Sequence, residues 1–125
     1  MKEFIIKKCN KCGAIVKVIE DCNCDNCGIV CCGENMVALK ANSTDGAVEK
    51  HVPTYEINGD EITIRVNHVM EDDHYIEWIS AATGDYEVIK YFAPGEEPKL
   101  VCKCAEGMVL YAYCNKHGLW KAEVK

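Results

Sequence analysis

Cysteines and histidines are the residues of this sequence best suited to metal chemistry, and they are unevenly distributed. Seven of the ten cysteines lie in the first 32 residues, and all four histidines lie after residue 50. Thiolates and imidazoles are the protein ligands of zinc, iron and copper. The distribution therefore predicts two different metal sites, one rich in sulfur and one that combines imidazoles with a thiolate.

The sulfur-rich segment begins with Cys9-Asn10-Lys11-Cys12-Gly13, where two thiolates three residues apart can bind one ion. Two downstream pairs could complete a site of four cysteines: Cys24 with Cys27, or Cys31 with Cys32. Spacing favours Cys24 and Cys27, because they repeat the form of the first pair. Four thiolates suit zinc and iron equally, so the pattern leaves open the metal, as well as a purely structural zinc site or disulfides.

The second set of ligands is spread over the rest of the chain. Cys114 and His117 are three residues apart in a predicted turn, His68 and His74 flank an acidic loop, and His51 precedes the first predicted strand. Four imidazoles and one thiolate would leave a six-coordinate ion with one open position, whereas closed zinc sites need only four ligands. This set favours iron chemistry with a small diatomic species.

The elements that must position these ligands are short β-strands. Ile62, Ile64 and Val66 alternate with polar residues, which is typical of a half-buried strand, and Asn58-Gly59 just before them is a hairpin signal. Similar patterns predict about seven strands, over residues 52–57, 62–66, 74–81, 86–92, 99–104, 108–113 and 119–124. Strands at this spacing predict a mainly β protein with a sandwich or small barrel.

Length and composition predict how the chain divides into domains. Residues 1–37 are too few for a hydrophobic core of their own and predict a small metal-stapled domain. Residues 38–50 predict a linker, and residues 51–125 predict the β domain.

A net charge of −6 argues against a generally basic nucleic-acid binder. No apolar stretch approaches the ~20 residues that cross a bilayer, and none near Met1 is long enough for a signal peptide, so we expect a cytoplasmic protein with reduced thiols.

Several motifs, in this order along the chain, resemble those of the desulfoferrodoxin family, the two-domain class of superoxide reductases. The resemblance covers essentially the whole chain. It rests on Cys9-x-x-Cys12-Gly13, Cys31-Cys32-Gly33-Glu34-Asn35-Met36, Glu49-Lys50-His51-Val52-Pro53, His68 with His74-Tyr75-Ile76-Glu77-Trp78, and Cys114-Asn115-x-His117-Gly118-Leu119-Trp120.

The resemblance implies an immunoglobulin-like β-sandwich after a desulforedoxin- or rubredoxin-like domain, usually in a homodimer. It implies reduction of superoxide to hydrogen peroxide at a non-haem iron, with a rubredoxin-like electron donor. Glu49 would be a carboxylate able to take the sixth position, and Lys50 a cation beside it. The resemblance assigns the catalytic iron to His51, His68, His74, Cys114 and His117, and a second iron or zinc to Cys9, Cys12, Cys31 and Cys32. In the second site it disagrees with spacing, and we follow the resemblance, with Cys24 and Cys27 as the alternative pair.

Three other functions compete with a reductase. An iron electron-transfer protein would have a closed centre, a zinc-stapled binding module would contain no iron, and a dismutase would release dioxygen as well as peroxide. The run Glu49-Lys50-His51 favours a centre open to substrate over the first two.

Overall fold

The computed structural model describes residues 4–24, 28–44 and 46–125, and most of its regular structure is β-strand. The chain divides into two compact units, one ending at Lys40 and the other beginning at Ala41. The predicted mainly β class is confirmed. The single helix of the described residues has four residues, so none of them forms an apolar helix long enough to cross a bilayer.

In chain order the elements are β1 (Ile5–Lys8), β2 (Ile15–Val18), β3 (Val30–Cys31), β4 (Glu34–Asn35), β5 (Val37–Ala38), α1 (Val48–His51), β6 (Thr54–Asn58), β7 (Glu61–Arg65), β8 (Ile76–Ala82), β9 (Glu87–Tyr91), β10 (Lys99–Lys103), β11 (Val109–Cys114) and β12 (Gly118–Glu123).

The N-terminal unit is two small sheets with a very small core. β1 pairs with β2 and β5 in an antiparallel sheet, and β3 pairs with β4 in a separate hairpin. Among the described residues of this unit, the buried apolar side chains are only Ile6, Cys9, Val18 and Met36. Burial of so few side chains is not enough to offset the conformational entropy of about forty residues, so a further constraint is needed to hold the unit together.

The C-terminal unit is a sandwich of the seven strands that the sequence predicted. One sheet has the order β10-β7-β6 and the other the order β12-β11-β8-β9. β10 crosses back to pair with β7, an arrangement of the immunoglobulin-like kind. The core lies between the sheets and is formed by residues such as Ile62, Ile64, Ile76, Ile79, Met108 and Leu110, all with no exposed surface.

The predicted hairpin joins β6 and β7. Asn58 pairs with Glu61, which leaves Gly59 and Asp60 as a two-residue loop. Gly59 has a φ of 67°, a conformation that glycine adopts without the penalty that a Cβ brings. The tight loop fixes the register that places Ile62 and Ile64 in the core.

Residues 41–44 and 46–51 belong to the C-terminal unit, and the first of these two stretches is bonded to β12. The side-chain amide of Asn42 donates to the carbonyl of Lys121 at 3.3 Å and accepts from its N–H at 2.9 Å. The Asn42 N–H also donates to the carbonyl of Leu119 at 2.9 Å. Part of the stretch predicted as a linker is therefore attached to β12, and it leads directly into α1.

Candidate metal centres

Five residues come together at one end of the sandwich: one ends a strand, one ends the helix and three lie in loops. Cys114 is the last residue of β11, and His117 lies in the turn that leads into β12. His68 follows β7, His74 precedes β8, and His51 ends α1 just before β6. One ligand atom from each of the five lies within 4.8 Å of all the others. The antiparallel register explains this, because the end of β7 and β11 and the start of β6, β8 and β12 meet at the same edge.

The four imidazole rings form a closed ring of neighbours. Centroid separations are 4.7 Å for His51–His68, 4.6 Å for His68–His74, 5.1 Å for His74–His117 and 4.8 Å for His117–His51. Interplanar angles between 67° and 88° make every one of these contacts edge-on. Such a ring points nitrogen atoms, and not ring faces, toward its centre.

Hydrogen bonds decide which nitrogen each ring offers. Nδ1 of His51 lies 2.8 Å from the carbonyl of Ala47, and Nδ1 of His68 is bonded to the carbonyl of Val69. A carbonyl only accepts, so both rings carry their proton on Nδ1 and present a bare Nε2 to the centre. Second hydrogen bonds of this kind orient metal-ligating histidines.

The other two rings complete the donor set. Nδ1 of His117 lies 3.1 Å from Nε2 of His51 and 3.8 Å from Sγ of Cys114. In the described part of the chain, Nε2 of His74 is buried without any hydrogen-bond partner. A buried nitrogen without a partner costs free energy, which a bound cation would recover.

The electrostatics of the site also favour a cation. Burial lowers the pKa of His68 and of His74 below 6.5, and positive charge on neighbouring imidazoles lowers both further. The rings are therefore neutral near pH 7 and able to donate a lone pair. Sγ of Cys114, 3.4 Å from Nε2 of His68, belongs to a residue with no exposed surface. A thiolate there would need a cation to compensate its buried charge.

Trp120 and Thr44 contact two of the ligand residues, His51 and His117. The indole ring of Trp120 stacks on His51 at 4.8 Å, and its N–H donates to the carbonyl of His117 at 3.1 Å. The hydroxyl of Thr44 donates to the same carbonyl. Sequence spacing did not identify these supports: Thr44 and His117 are 73 residues apart, the stacking partners His51 and Trp120 are also distant along the chain, and the short-range bond from Trp120 to His117 carries no spacing signal of its own.

Glu49 and Lys50 lie next to the centre in sequence and are both exposed. They precede His51 in the single turn of α1, in which only His51 is buried. Successive helical residues are about 100° apart, so the two side chains point away from the direction that His51 takes. Neither forms an ion pair within the part of the chain that the structure describes, which leaves both charges at the surface.

A second cluster joins Cys9, Cys12, Cys31 and Cys32 in the N-terminal unit, with sulfur atoms within 4.8 Å of one another. Sγ of Cys31 lies 3.6 Å from Sγ of Cys12 and 3.9 Å from Sγ of Cys32. Both pairs lie in turns that end in glycine, with φ of 80° at Gly13 and 77° at Gly33. The structure thus groups the pair that the resemblance indicated.

Two thiols of this cluster have pKa values shifted in opposite directions. The backbone N–H groups of Cys12 and Lys11 lower the pKa of Cys9 to about 7. Hydrogen bonds with Cys12, Cys9 and Cys32 raise the pKa of Cys31 to about 12. Four thiolates this close repel one another, and a divalent or trivalent cation removes that repulsion. The residues of both clusters therefore fit a bound transition metal.

Four further cysteines that the structure describes belong to neither cluster. Cys22 is disulfide-bonded, Cys24 is exposed, and Cys27 lies outside the described residues, so the alternative pair of Cys24 and Cys27 remains a prediction. Cys102 and Cys104 are half-buried near the opposite end of the sandwich. Burial, with the neighbouring Cys104, raises the pKa of Cys102, which disfavours its reactive thiolate.

Several known proteins match most or nearly all of this chain. The desulfoferrodoxin of Nitratidesulfovibrio vulgaris is 42% identical over 125 residues, which is 97% of each protein. A protein named superoxide reductase from Pyrococcus horikoshii is 34% identical and matches 72% of this chain and 98% of its own length. The crystal structure of a superoxide reductase from Treponema pallidum covers 97% of this chain and 99% of its own, with a TM-score of 0.73 at 23% identity, which supports the fold.

The family comparison agrees with these relatives. The sequence model described as Desulfoferrodoxin matches residues 43–123, which contain all five residues of the histidine and cysteine cluster. The relatives that match over the full length also share the N-terminal part. The chain therefore belongs to the desulfoferrodoxin family.

Proposed function

We propose that this protein is a superoxide reductase, which converts superoxide, one electron and two protons into hydrogen peroxide. The observation that carries the proposal is the set of four imidazoles and one thiolate at one end of the sandwich. Five donors leave a six-coordinate ion with one position for a small ligand. Relatives named superoxide reductase match most of this chain at 32–34% identity.

The geometry supports a role for each of the five residues. His51, His68 and His74 would bind the metal through Nε2, His117 through Nδ1 and Cys114 through Sγ. Iron bound there supplies the single electron that superoxide needs. A buried thiolate ligand donates electron density, which favours that transfer.

The two exposed charges of α1 act on the substrate side. Lys50 would attract the superoxide anion and hold a water molecule that delivers protons, since it is exposed and close in sequence to His51. The net charge of −6 repels an anion, so a local cation is needed to steer it. Glu49 is exposed in this structure, so its side chain would have to turn toward the centre to compete with the substrate for the open position as a carboxylate ligand.

The other parts of the proposal concern the N-terminal cluster and the partners. Cys9, Cys12, Cys31 and Cys32 would hold a second iron, or a zinc, that staples a unit with little core of its own. Each turnover consumes an electron, so a small donor of the rubredoxin type is required. We also propose a homodimer and a cytosolic location, where the thiols of both clusters stay reduced.

The test is product analysis after a known dose of superoxide is added to the anaerobic, fully reduced protein, with metal-free protein as the control. We expect peroxide in amounts equal to the metal centres oxidised, and no dioxygen beyond the control. Peroxide together with catalysed dioxygen would contradict the reductase and indicate a dismutase. No acceleration over the control would also contradict it and leave an electron carrier or a zinc-stapled binding module, which metal content would separate.

A further inference from the structure

Asn115 connects the loop between β7 and β8 with the turn between β11 and β12, and four of the five ligands lie in or next to these two segments. Its side-chain carbonyl accepts from the N–H of Tyr75 at 3.0 Å, and its side-chain amide donates to the carbonyl of Asp73 at 3.0 Å. Its backbone N–H donates to the carbonyl of Tyr75 at 3.2 Å. One residue of the loop between Cys114 and His117 thus bonds both chain neighbours of His74.

No strand pairing holds the two loops together at this point. The ladder between β11 and β8 shifts register after Tyr113, so that Cys114 pairs with Ile76. His74 uses its own N–H and carbonyl in a short hairpin with Glu71, at 3.2 and 2.9 Å. Because His74 and Glu71 bond each other, these backbone groups are not available to β11. Asn115 attaches the hairpin to the end of β11, where the regular hydrogen bonds between β11 and β8 end.

The chemistry at this position suits an amide. Tyr75 offers a donor and Asp73 an acceptor, and only a side chain with both functions can bond the two at once. The neighbouring ion pair of Lys116 with Asp73, at 3.8 Å, cannot replace these bonds, because its side chains are 51% and 84% exposed and such pairs contribute little.

We propose that Asn115 is a positioning residue, which fixes Nε2 of His74 relative to Sγ of Cys114 and Nδ1 of His117. Its side-chain hydrogen bonds go to the backbone on either side of His74, and it acts through that backbone. The proposal rests on the proposed metal centre, and it adds a residue to the machinery that keeps that centre assembled. Partners of this kind typically change metal affinity about 10- to 100-fold when removed.

The test is release of metal from the reduced, full-length protein to an excess of a ferrous chelator, followed as metal remaining per chain. Two kinetic phases are expected, one for each cluster. Asn115→Leu, which keeps the size and loses both side-chain bonds, should release metal from the histidine centre about tenfold faster or more. Asn115→Asp keeps the bond to Tyr75 and should fall between Leu and wild type. Lys116→Met is the matched control and should stay within about twofold of wild type.

Three outcomes of the metal-release assay bear on the proposed role of Asn115. Faster release confined to the histidine centre, with a shifted thiolate-to-iron absorption band, supports positioning. Wild-type release in Asn115→Leu or in Asn115→Asp contradicts it. Equal acceleration of both phases, with a lower melting temperature, would also contradict it, because Asn115 would then stabilise the fold in general. The assay uses no superoxide, so a protein that holds iron but fails to reduce superoxide would contradict the proposed function alone.

Discussion

Nε2 of His51 lies 3.1 Å from Nδ1 of His117. Nδ1 of His51 donates its proton in a hydrogen bond to the carbonyl of Ala47, so Nε2 of His51 carries a lone pair and no proton. Two nitrogen atoms at this distance need a proton or a cation between them. Without metal, His117 would supply that proton from Nδ1, and metal binding would move it or release it.

Metal-free protein should therefore lose stability in mild acid. The pKa of His68 and of His74 is lowered by burial, so both rings are neutral in the folded state where the unfolded chain, with pKa near 6.5, already binds protons. The two neutral rings contribute fully to the free energy of unfolding above pH 6.5. This contribution is lost as the pH falls through the lowered pKa values that His68 and His74 have in the folded state.

Urea unfolding of the metal-free protein at several pH values between 7.5 and 5 measures this loss. The double variant His68→Gln/His74→Gln is the control, since it lacks both titrating rings and should show a flatter dependence. Identical slopes for the two proteins would mean that other groups dominate acid destabilisation.

Lys50→Ala should slow the reaction with superoxide by about three- to tenfold and weaken its dependence on salt. The exposed ammonium next to His51 is a local attraction within a chain of net charge −6. Stopped-flow or pulse-radiolysis rates at low and high ionic strength measure both effects. Lys103→Ala removes the same charge at the end of β10 that leads away from the centre, and its rate should stay near wild type. A wild-type rate in Lys50→Ala would remove Lys50 from the mechanism.

Glu49→Ala should change the spectrum of the oxidised resting protein more than it changes the rate of the superoxide reaction. The carboxylate is exposed and two residues from His51, and in its proposed role it would take the open position only when the substrate is absent. Absorption spectra over a pH series, with Glu49→Gln as the neutral isostere, measure this. A large fall in rate with an unchanged spectrum would contradict the assignment.

Trp120→Phe should destabilise the protein by about 1 kcal/mol, because it loses the hydrogen bond to the carbonyl of His117 and keeps a ring against His51. Trp120→Ala also removes a side chain that is 1% exposed and should cost about 3–5 kcal/mol. Chemical unfolding of the metal-free variants measures both. Equal losses would indicate that the hydrogen bond, rather than the ring, determines the effect.

Cys12→Ser should release the metal of the N-terminal cluster and leave the histidine centre loaded. The N-terminal unit has four buried apolar side chains among its described residues, so loss of the metal should unfold it. Limited proteolysis would then cut within the first 40 residues, while metal content falls by one ion per chain. Cys104→Ser, outside both clusters, is the control. Protection equal to wild type would show that the unit folds without its metal.

The strands of the sandwich could be predicted because each carries its own signal. Ile62 and Ile64 alternate with polar residues, and Gly59 marks the hairpin, so local pattern was sufficient. The grouping of His51 with His117 could not follow from spacing, since 66 residues separate them. Residue types suggested that the four histidines and Cys114 form one site, and the resemblance to a known family then assigned each of them as a ligand.

The supports of the site were not predictable from pattern. Asn42 bonds to Lys121 across 79 residues and Asn115 to Asp73 across 42, and such contacts leave no periodicity in the sequence. The start of α1 was missed for a related reason: it is one turn long, has no side-chain cap, and is held by the burial of His51. The three β-strands of the N-terminal sheet were also not predicted, because each has four residues or fewer.

The attachment of Asn42 to β12 has a consequence for how copies of this chain behave at high concentration. β12 is the outermost strand of its sheet, and its outer N–H and carbonyl groups would otherwise be a template for a strand from another molecule. Asn42 occupies the groups of Leu119 and Lys121 with three hydrogen bonds. We therefore expect this one asparagine to disfavour edge-to-edge aggregation along β12.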